Sequence, residues 1–212
     1  MPSQLQVDKI IDAGATSNKE LAEYSSSAWS WGQGVPKGSV IEQFCSPCNG
    51  STITVQSGSY TVETTSGSQG LTDSYADITG SKIDYTPPTG TQTVIYEYTF
   101  TVEPASAHNI AHMKLFLDND SGTATEVTNA RCSLSAESWW ISRQTIKWAF
   151  HIGGSDDDAI GRRDTWTSAR TIKLQGREYD SSYQMKLNVT HYWDGGGSDQ
   201  FSQPVIGITA LA

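Results

Sequence analysis

The sequence predicts an all-β protein, an antiparallel sandwich of two sheets preceded by a short N-terminal arm. From about Gly38 onward, about nine or ten segments alternate apolar and polar residues with the period of two that half-buried strands require. No segment keeps the helical period for more than about two turns. Hydrophobic residues make up 36% and charged residues 17% of the 212 residues. Both values lie below the globular averages of about 45–50% and about 25%, and Ser, Thr and Gly fill the difference.

Residues 1–37 are the predicted arm and linker, and residues 38–212 are the predicted head domain. The apolar side chains near the start of the arm are Leu5, Val7, Ile10 and Ile11. The segment NKELAEY favours one or two helical turns, and SSSAWSWGQGVPKG is typical of a linker rich in Ser and Gly. A segment with so few apolar residues cannot form a core alone, so we expect it to dock onto a partner. Packing back onto its own head is the alternative.

The head is predicted strand by strand from its alternation. Turns rich in Gly and Pro, such as TPPTG, separate the strands. The apolar residues that share one face of each segment are Ile53 and Val55; Tyr60 and Val62; Ile83 and Tyr85; Val94, Tyr96, Tyr98, Phe100 and Val102; Met113, Leu115 and Leu117; Ile172 and Leu174; Tyr183, Met185, Leu187, Val189, His191 and Trp193; Ile206 and Ile208. Such strands build the two layers of a sandwich.

The stretch ISRQTIKWAFHIGGSDDD allows two interpretations. Ile146, Trp148 and Phe150 alternate, which indicates a strand with Trp148 directed into the core. The run Asp156–Asp158 then reads as a solvated turn, because consecutive carboxylates splay apart, whereas a cation needs several oxygens converging on one point. A cation site remains the alternative for this run. Trp139 and Trp140 face opposite ways, so one indole is expected to be exposed or at an interface.

The three cysteines do not form a recognisable metal or redox motif. Cys45 and Cys48 form a lone C-x-x-C, and Cys132 is distant in sequence. A structural zinc site needs four ligands, normally from a second such pair, and a thioredoxin-type motif opens a helix. We expect free thiols or a pair that staples a loop, with metal binding and redox catalysis as weaker alternatives. No metal and no cofactor is predicted.

No catalytic motif emerges, so the protein is not predicted to be an enzyme. The carboxylates Glu137, Glu178 and Asp180 could flank a glycosidase cleft, but solvated strand ends are the expected role. The net charge of −9 argues against binding to nucleic acid or to anionic membranes. No apolar run is long enough to span a membrane, and the first residues lack the pattern of a secretory signal.

Several segments, in order, resemble a family of virion proteins. These are LQVDKIIDAG, PKGSVIEQF, DSYADITGSKIDYTPPTGTQTVIYEYTF and PVIGITALA. They are similar to segments of modular fibre, spike and decoration proteins of aquatic tailed phages and large algal viruses. The resemblance implies attachment to the particle through the arm and a jelly-roll head of the TNF/C1q type, usually trimeric. It also implies assembly in the host cytoplasm, with other capsid or tail proteins as partners.

Aromatic residues beyond the needs of one small core suggest where copies of the chain meet. The residues assigned to the trimer interface are Tyr96, Tyr98, Phe100, Tyr183 and Trp193. The alternative function is a carbohydrate-binding module in which sugar rings stack on exposed indoles. Its contacts would be Trp139, Trp140 and the glycine-rich loop that begins at Asp194. The two functions are compatible, since a virion head can bind a glycan on the host surface.

Overall fold

The computed structural model describes residues 9–11, 20–25, 28–31, 36–104, 108–137, 141–191 and 199–212. Apart from one short 3-10 turn, Thr128–Ala130, the regular structure of these residues is entirely β. The strands are β1 (Lys9–Ile11), β2 (Glu20–Ser25), β3 (Ala28–Trp31), β4 (Val40–Pro47), β5 (Thr52–Val55), β6 (Gly58–Thr61), β7 (Gln69–Gly70), β8 (Ala76–Asp77), β9 (Ile83–Tyr85), β10 (Thr93–Pro104), β11 (His108–Asp118), β12 (Ala124–Glu126), β13 (Cys132–Glu137), β14 (Ser142–His151), β15 (Arg170–Glu178), β16 (Met185–Leu187), β17 (Val189–His191), β18 (Asp199–Phe201) and β19 (Val205–Leu211). No helix in this described part is long and apolar enough to cross a membrane.

Two antiparallel sheets form the sandwich, as predicted. The first sheet places β4, β19, β10 and β14 side by side. The short strand β16 pairs with the last three residues of β10, and β7 pairs with β16. In the second sheet, β11 lies between β15 and the pair β12 and β13, and β8 and β9 pair with the other edge of β15. We number the eight main strands of the sandwich in chain order as β4, β8 with β9, β10, β11, β12 with β13, β14, β15 and β19. The first sheet then has the order first–eighth–third–sixth, and the second has the order second–seventh–fourth–fifth. This order is that of a jelly roll.

The central strand β10 shows why the sequence folds this way. Its alternate residues Val94, Tyr96, Tyr98, Phe100 and Val102 are all at most 2% exposed, whereas the residues between them up to Thr99 are half-buried. The strand pairs with β19 along one edge and β14 along the other, so both edges are satisfied. The opposite layer contributes Met113, Leu115, Leu117, Ile172 and Leu174, which are equally buried. In β10, β11 and β15, the alternation in the sequence therefore identified the inward faces correctly.

Three residues predicted to join copies of the chain are core residues instead. Tyr96 and Tyr98 are fully buried, and Phe100 is 2% exposed within a single chain. The Tyr96 hydroxyl donates to the carbonyl of Ser81 at 2.7 Å, and the Tyr98 hydroxyl donates to that of Thr79 at 3.1 Å. A buried tyrosine needs such a partner for its hydroxyl, and the turn between β8 and β9 supplies it. The apparent surplus of rings is absorbed by one core, so these three side chains are not available for a contact between copies.

Local patterns gave two wrong predictions about strands. The segment NKELAEY contains the strand Glu20–Ser25 rather than helical turns, because β2 pairs with β1 on one side and β3 on the other. Intrinsic helix preference is weak, and pairing along both edges overrides it. The predicted linker likewise contains β3. The long strand predicted through residue 193 breaks at Asn188, whose φ of +62° ends β16 and turns the chain into β17.

The two ends of the sandwich are defined by the residues at the two ends of its strands. At the near end, the Gly38 amide donates to the carbonyl of Ala212 at 2.6 Å, and the Gln92 amide donates to that of Leu211 at 2.7 Å. At the far end, β10 finishes at Pro104, and Ser142 at the start of β14 pairs with Val102. The head therefore joins the preceding segment at the near end, and the far end lies at the other end of the strands.

Candidate functional site

Three side chains with metal-ligand chemistry meet at the far end. Glu103 is the next-to-last residue of β10, His191 ends β17 and Asp199 begins β18. His191 and Asp199 are partners in the antiparallel register of β17 and β18, which puts their side chains side by side. The end of β10 then brings Glu103 against them. We call these three residues the far-end triad.

The distances within the triad are short. The Nε2 atom of His191 lies 2.5 Å from Oε1 of Glu103 and 2.7 Å from Oδ1 of Asp199. Lys186, the register partner of Glu103, places its Nζ 3.2 Å from the other oxygen of Asp199. The hydrogen bond that Lys186 donates holds the pKa of the Asp199 carboxyl below its usual value. Two carboxylates and two basic groups thus share one small site.

Burial is graded across the triad. Glu103 is 8% exposed, His191 is half-buried and Asp199 is exposed. The Oε2 atom of Glu103 is buried and has no hydrogen-bond partner among the residues that the structure describes. One side of the triad is thus closed by the sandwich and the other opens to water. An imidazole nitrogen with two carboxylate oxygens is a donor set that zinc and other transition metals accept.

The triad was not predicted from the sequence, which gave no metal site. Glu103 and His191 lie on different strands far apart in sequence, and the topology alone brings them together. The local signal was a histidine followed by a glycine-rich loop with an aspartate at each end, WDGGGSD. That pattern fixes the pair His191 and Asp199 only once a hairpin is assumed.

A second group of carboxylates lies at the loops after β11 and β14. Asp120, Asp156 and Asp164 approach one another, and all three are exposed. The Asp164 amide donates to Oδ1 of Asp156 at 2.7 Å, and Asp158 pairs at 2.7 Å with the fully buried Arg163. The three carboxylates of the Asp156–Asp158 run therefore have different partners, because Asp157 accepts from the amide of Ala159 and Asp158 also accepts from the hydroxyl of Thr125.

The indole in the middle of β14 lies at the edge of the core rather than inside it. Trp148 is half-buried against the core, and its Nε1 donates to the carbonyl of Ile160 at 3.0 Å. Several other predicted site residues lie outside the described residues: Leu5, Val7, Trp139, Trp140, Trp193 and Asp194. Ile10 and Ile11 belong to β1.

The cysteines in the described residues are free thiols. Cys45 is exposed, while Cys48 is fully buried and its Sγ donates to the carbonyl of Gly80 at 3.1 Å. Burial raises the pKa of Cys48 to about 12. A thiol with such a pKa is a poor nucleophile at neutral pH, which disfavours redox chemistry at this pair.

Two of the three carboxylates weighed for a glycosidase cleft lie in contrasting surroundings. Glu178 is 3% exposed, and burial raises the pKa of its carboxyl. Asp180 is exposed, and hydrogen bonds from Ser182 lower its pKa.

Four large apolar side chains on or beside the second sheet are exposed. They are Tyr75, Ile110, Tyr179 and Tyr183, which are 38–56% exposed. The rings of Tyr179 and Tyr183 are 6.3 Å apart, and the Nζ of Lys114 lies 4.3 Å from the Tyr75 ring centre. Tyr183, unlike the three core residues, is therefore accessible, as a contact between copies requires.

The fold defines the class of this protein as a jelly-roll β-sandwich. No protein-family model matches the sequence. No curated protein matches it either. Among solved structures, "Structure of infectious bursal disease virus Gx strain" is similar with a TM-score of 0.40 and 8% identity, over 95% of this chain and 50% of that chain. The structure of the Gt strain of the same virus gives 0.39 and 6%, over 94% and 50%. The chain thus spans about half the length of each of these viral chains.

Proposed function

We propose that this chain is a non-enzymatic structural protein of a virus particle, a trimeric fibre, spike or decoration protein. Its N-terminal arm attaches to the particle, and its jelly-roll head faces outward. The position at which the arm enters the sandwich carries the proposal. The segment before Gly38 enters the sandwich at the near end, beside Ala212, so the far end is free to face away from whatever the arm binds. The sequence resemblance to virion proteins supports the same orientation.

The arm has a structural unit of its own. The strands β1, β2 and β3 pair with one another in a three-stranded sheet that is separate from both sheets of the sandwich. Ile10 and Ile11 belong to its first strand. An attachment module and a head that form separate sheets fit a protein that holds a particle at one end and presents loops at the other.

The trimer is part of the proposal, and Tyr183 is the predicted interface residue that best supports it. Its ring is 39% exposed and lies beside Tyr179, which is 56% exposed. Light scattering of the full chain after gel filtration should give three times the chain mass of 23.0 kDa. A monomer at micromolar concentration would contradict the trimer while leaving the attachment role open to the next experiment.

Attachment is tested on virus particles that encode the chain. Mass spectrometry and immunogold microscopy of purified particles should find the protein in a fixed number of copies. The double change Ile10→Asp and Ile11→Asp should abolish incorporation while the protein keeps its oligomeric state. The matched control is Val40→Asp, an equally drastic change at a residue that is 54% exposed at the start of the head. Absence from particles, or equal incorporation of both variants, would refute the attachment role.

Carbohydrate binding is the second candidate function. It is favoured by the position of the described residues that flank its predicted contacts. Ser142, shortly after Trp140, pairs with Val102, and His191 and Asp199 lie on either side of the segment that holds Asp194. These flanks all reach the far end. A glycan array with the full chain should show binding that Trp139→Ala or Trp140→Ala removes and that Tyr75→Ala preserves; an array without signal argues against this function.

A further inference from the structure

We propose that the far-end triad, Glu103, His191 and Asp199, binds one divalent transition-metal cation, with Zn²⁺ as the best match to its donor atoms. The inference goes beyond the virion role and does not depend on it. It assigns a metal-binding site to side chains that come from three different strands.

The first argument is the crowding of two acceptors around one nitrogen. The Nε2 atom of His191 carries at most one hydrogen, in either charge state of the ring. Yet a Glu103 oxygen and an Asp199 oxygen both lie within 2.7 Å of that atom. One hydrogen cannot point well at both, and the two carboxylates repel each other. A cation between the three atoms would satisfy the nitrogen lone pair and both oxygens.

The second argument is the buried oxygen of Glu103. This side chain is about nine-tenths buried, and its Oε2 has no hydrogen-bond partner among the described residues. A buried charged oxygen without a hydrogen-bond partner destabilises the fold. A metal that binds the Glu103 carboxylate would offset this cost, and the site places that carboxylate where the other two ligands converge.

The ligand set selects the kind of cation. Calcium prefers oxygen ligands alone, and magnesium keeps most of its waters, whereas zinc accepts imidazole nitrogen and carboxylate oxygen at about 2.0–2.2 Å. Three protein ligands leave a fourth position for water, and the exposure of Asp199 gives that water access. Lys186 holds the second oxygen of Asp199, which orients the first oxygen towards His191.

The bound cation would connect the end of β10 to both strands of the hairpin formed by β17 and β18. His191 and Asp199 form the last pair described before residues 192–198, which include Asp194. A metal at this position would therefore fix the base of that segment against the sandwich. The competing arrangement is metal-free: the His191 ring and Lys186 contact the two carboxylates directly, with no cation between them.

Calorimetry of the tag-free full chain with ZnCl2 tests the inference. We expect one Zn²⁺ per chain, an affinity weakened at least about 100-fold by His191→Ala, and one weakened at least about tenfold by Asp199→Asn. Added Co²⁺ should give the visible absorption of a four-coordinate site. The matched controls are Asp156→Asn in the exposed acidic group and Cys45→Ser at the exposed thiol, and both should bind Zn²⁺ as the unaltered chain does.

Three results would overturn the site. The first is the absence of saturable Zn²⁺ binding to the unaltered chain, which would leave the metal-free arrangement as the explanation. Binding that survives His191→Ala, or that is lost in either control, would place the metal elsewhere. Asp199→Asn changes an exposed side chain without changing its size, so its circular dichroism spectrum should match that of the unaltered chain even if His191→Ala does not fold.

Discussion

Replacing Phe100 by alanine separates a core residue from a residue that joins copies of the chain. The ring is 2% exposed and stacks on Tyr98 at 5.2 Å between ring centres. Truncating a buried phenylalanine removes its buried area and leaves a cavity, which together cost about 3–5 kcal/mol. Because a domain is stable by about 5–15 kcal/mol in total, this one change removes a large share. At about 2–4 °C per kcal/mol, the midpoint of thermal unfolding should fall by about 6–20 °C.

The assay is urea unfolding followed by circular dichroism, at one protein concentration for every variant. Phe201→Ala is the matched control, because the same truncation at Phe201, which is 40% exposed, should change the stability by about 0.5 kcal/mol or less. A loss below about 1 kcal/mol for Phe100→Ala would refute the assignment of this ring to the core. The core assignment would also be refuted if Phe100→Ala changed the oligomeric state of the protein in solution but not its unfolding.

Three further predictions follow from described contacts. Gly161→Ala should lower the free energy of unfolding by about 2–5 kcal/mol, because φ is +69° and the new methyl group would meet the Phe150 ring at 2.7 Å. The control Gly38→Ala, with φ of +82° and open space around it, should lose only the backbone strain, about 1–2 kcal/mol. Equal losses in thermal or urea unfolding would show that the clash with Phe150 is relieved. A thiol reagent at pH 8 should label Cys45 rapidly and Cys48 only after unfolding, read by mass spectrometry of peptides, because burial raises the pKa of Cys48 to about 12; rapid native labelling of Cys48 would contradict its burial. Burial raises the pKa of Glu178, so the contribution of this carboxyl to stability is present when it is protonated and is lost as the pH rises through its folded-state pKa. The free energy of unfolding of Glu178→Gln should therefore rise relative to that of the unaltered chain as the pH increases from acid to neutral. Parallel pH profiles of the two proteins would count against the shift.

The fold could be predicted where one face of a strand is buried and the other is not. In β10, the apolar residues that alternate from Val94 to Val102 are the buried ones, and this pattern constrains the register of the strand. The same holds for Leu115 in β11 and Ile172 in β15. Sequence alternation therefore determines which side chains point inward without any knowledge of their partners.

The errors came from features that depend on neighbours in space. Whether Tyr96 and Phe100 fill one core or join two copies depends on the volume between the sheets, which a sequence does not state. The strand at Glu20–Ser25 depends on pairing with β1 and β3, which its own residues do not encode. The turn at Asn188 depends on a single positive φ inside an otherwise regular pattern.

The far-end triad was beyond sequence reasoning for a related reason. His191 and Asp199 are near each other in sequence, but Glu103 joins them only because β10 ends beside their hairpin. Side chains from separate strands form a site through sheet topology, and no spacing rule for ligands applies across such distances. A search for motifs finds metal sites built within one segment and overlooks those assembled at the ends of strands.

The pairing of β4 with β19 has a consequence for biosynthesis. These are the first and last strands of the sandwich, and Phe44 lies opposite Ile208 in their register. On the ribosome, β4 emerges long before β19 exists, so the nascent chain carries an unpaired, half-apolar strand during most of its synthesis. Contacts this distant in sequence also slow folding, which leaves time for the strand to meet another nascent copy. We therefore expect β4 to be open to pairing with another chain until β19 has been synthesised.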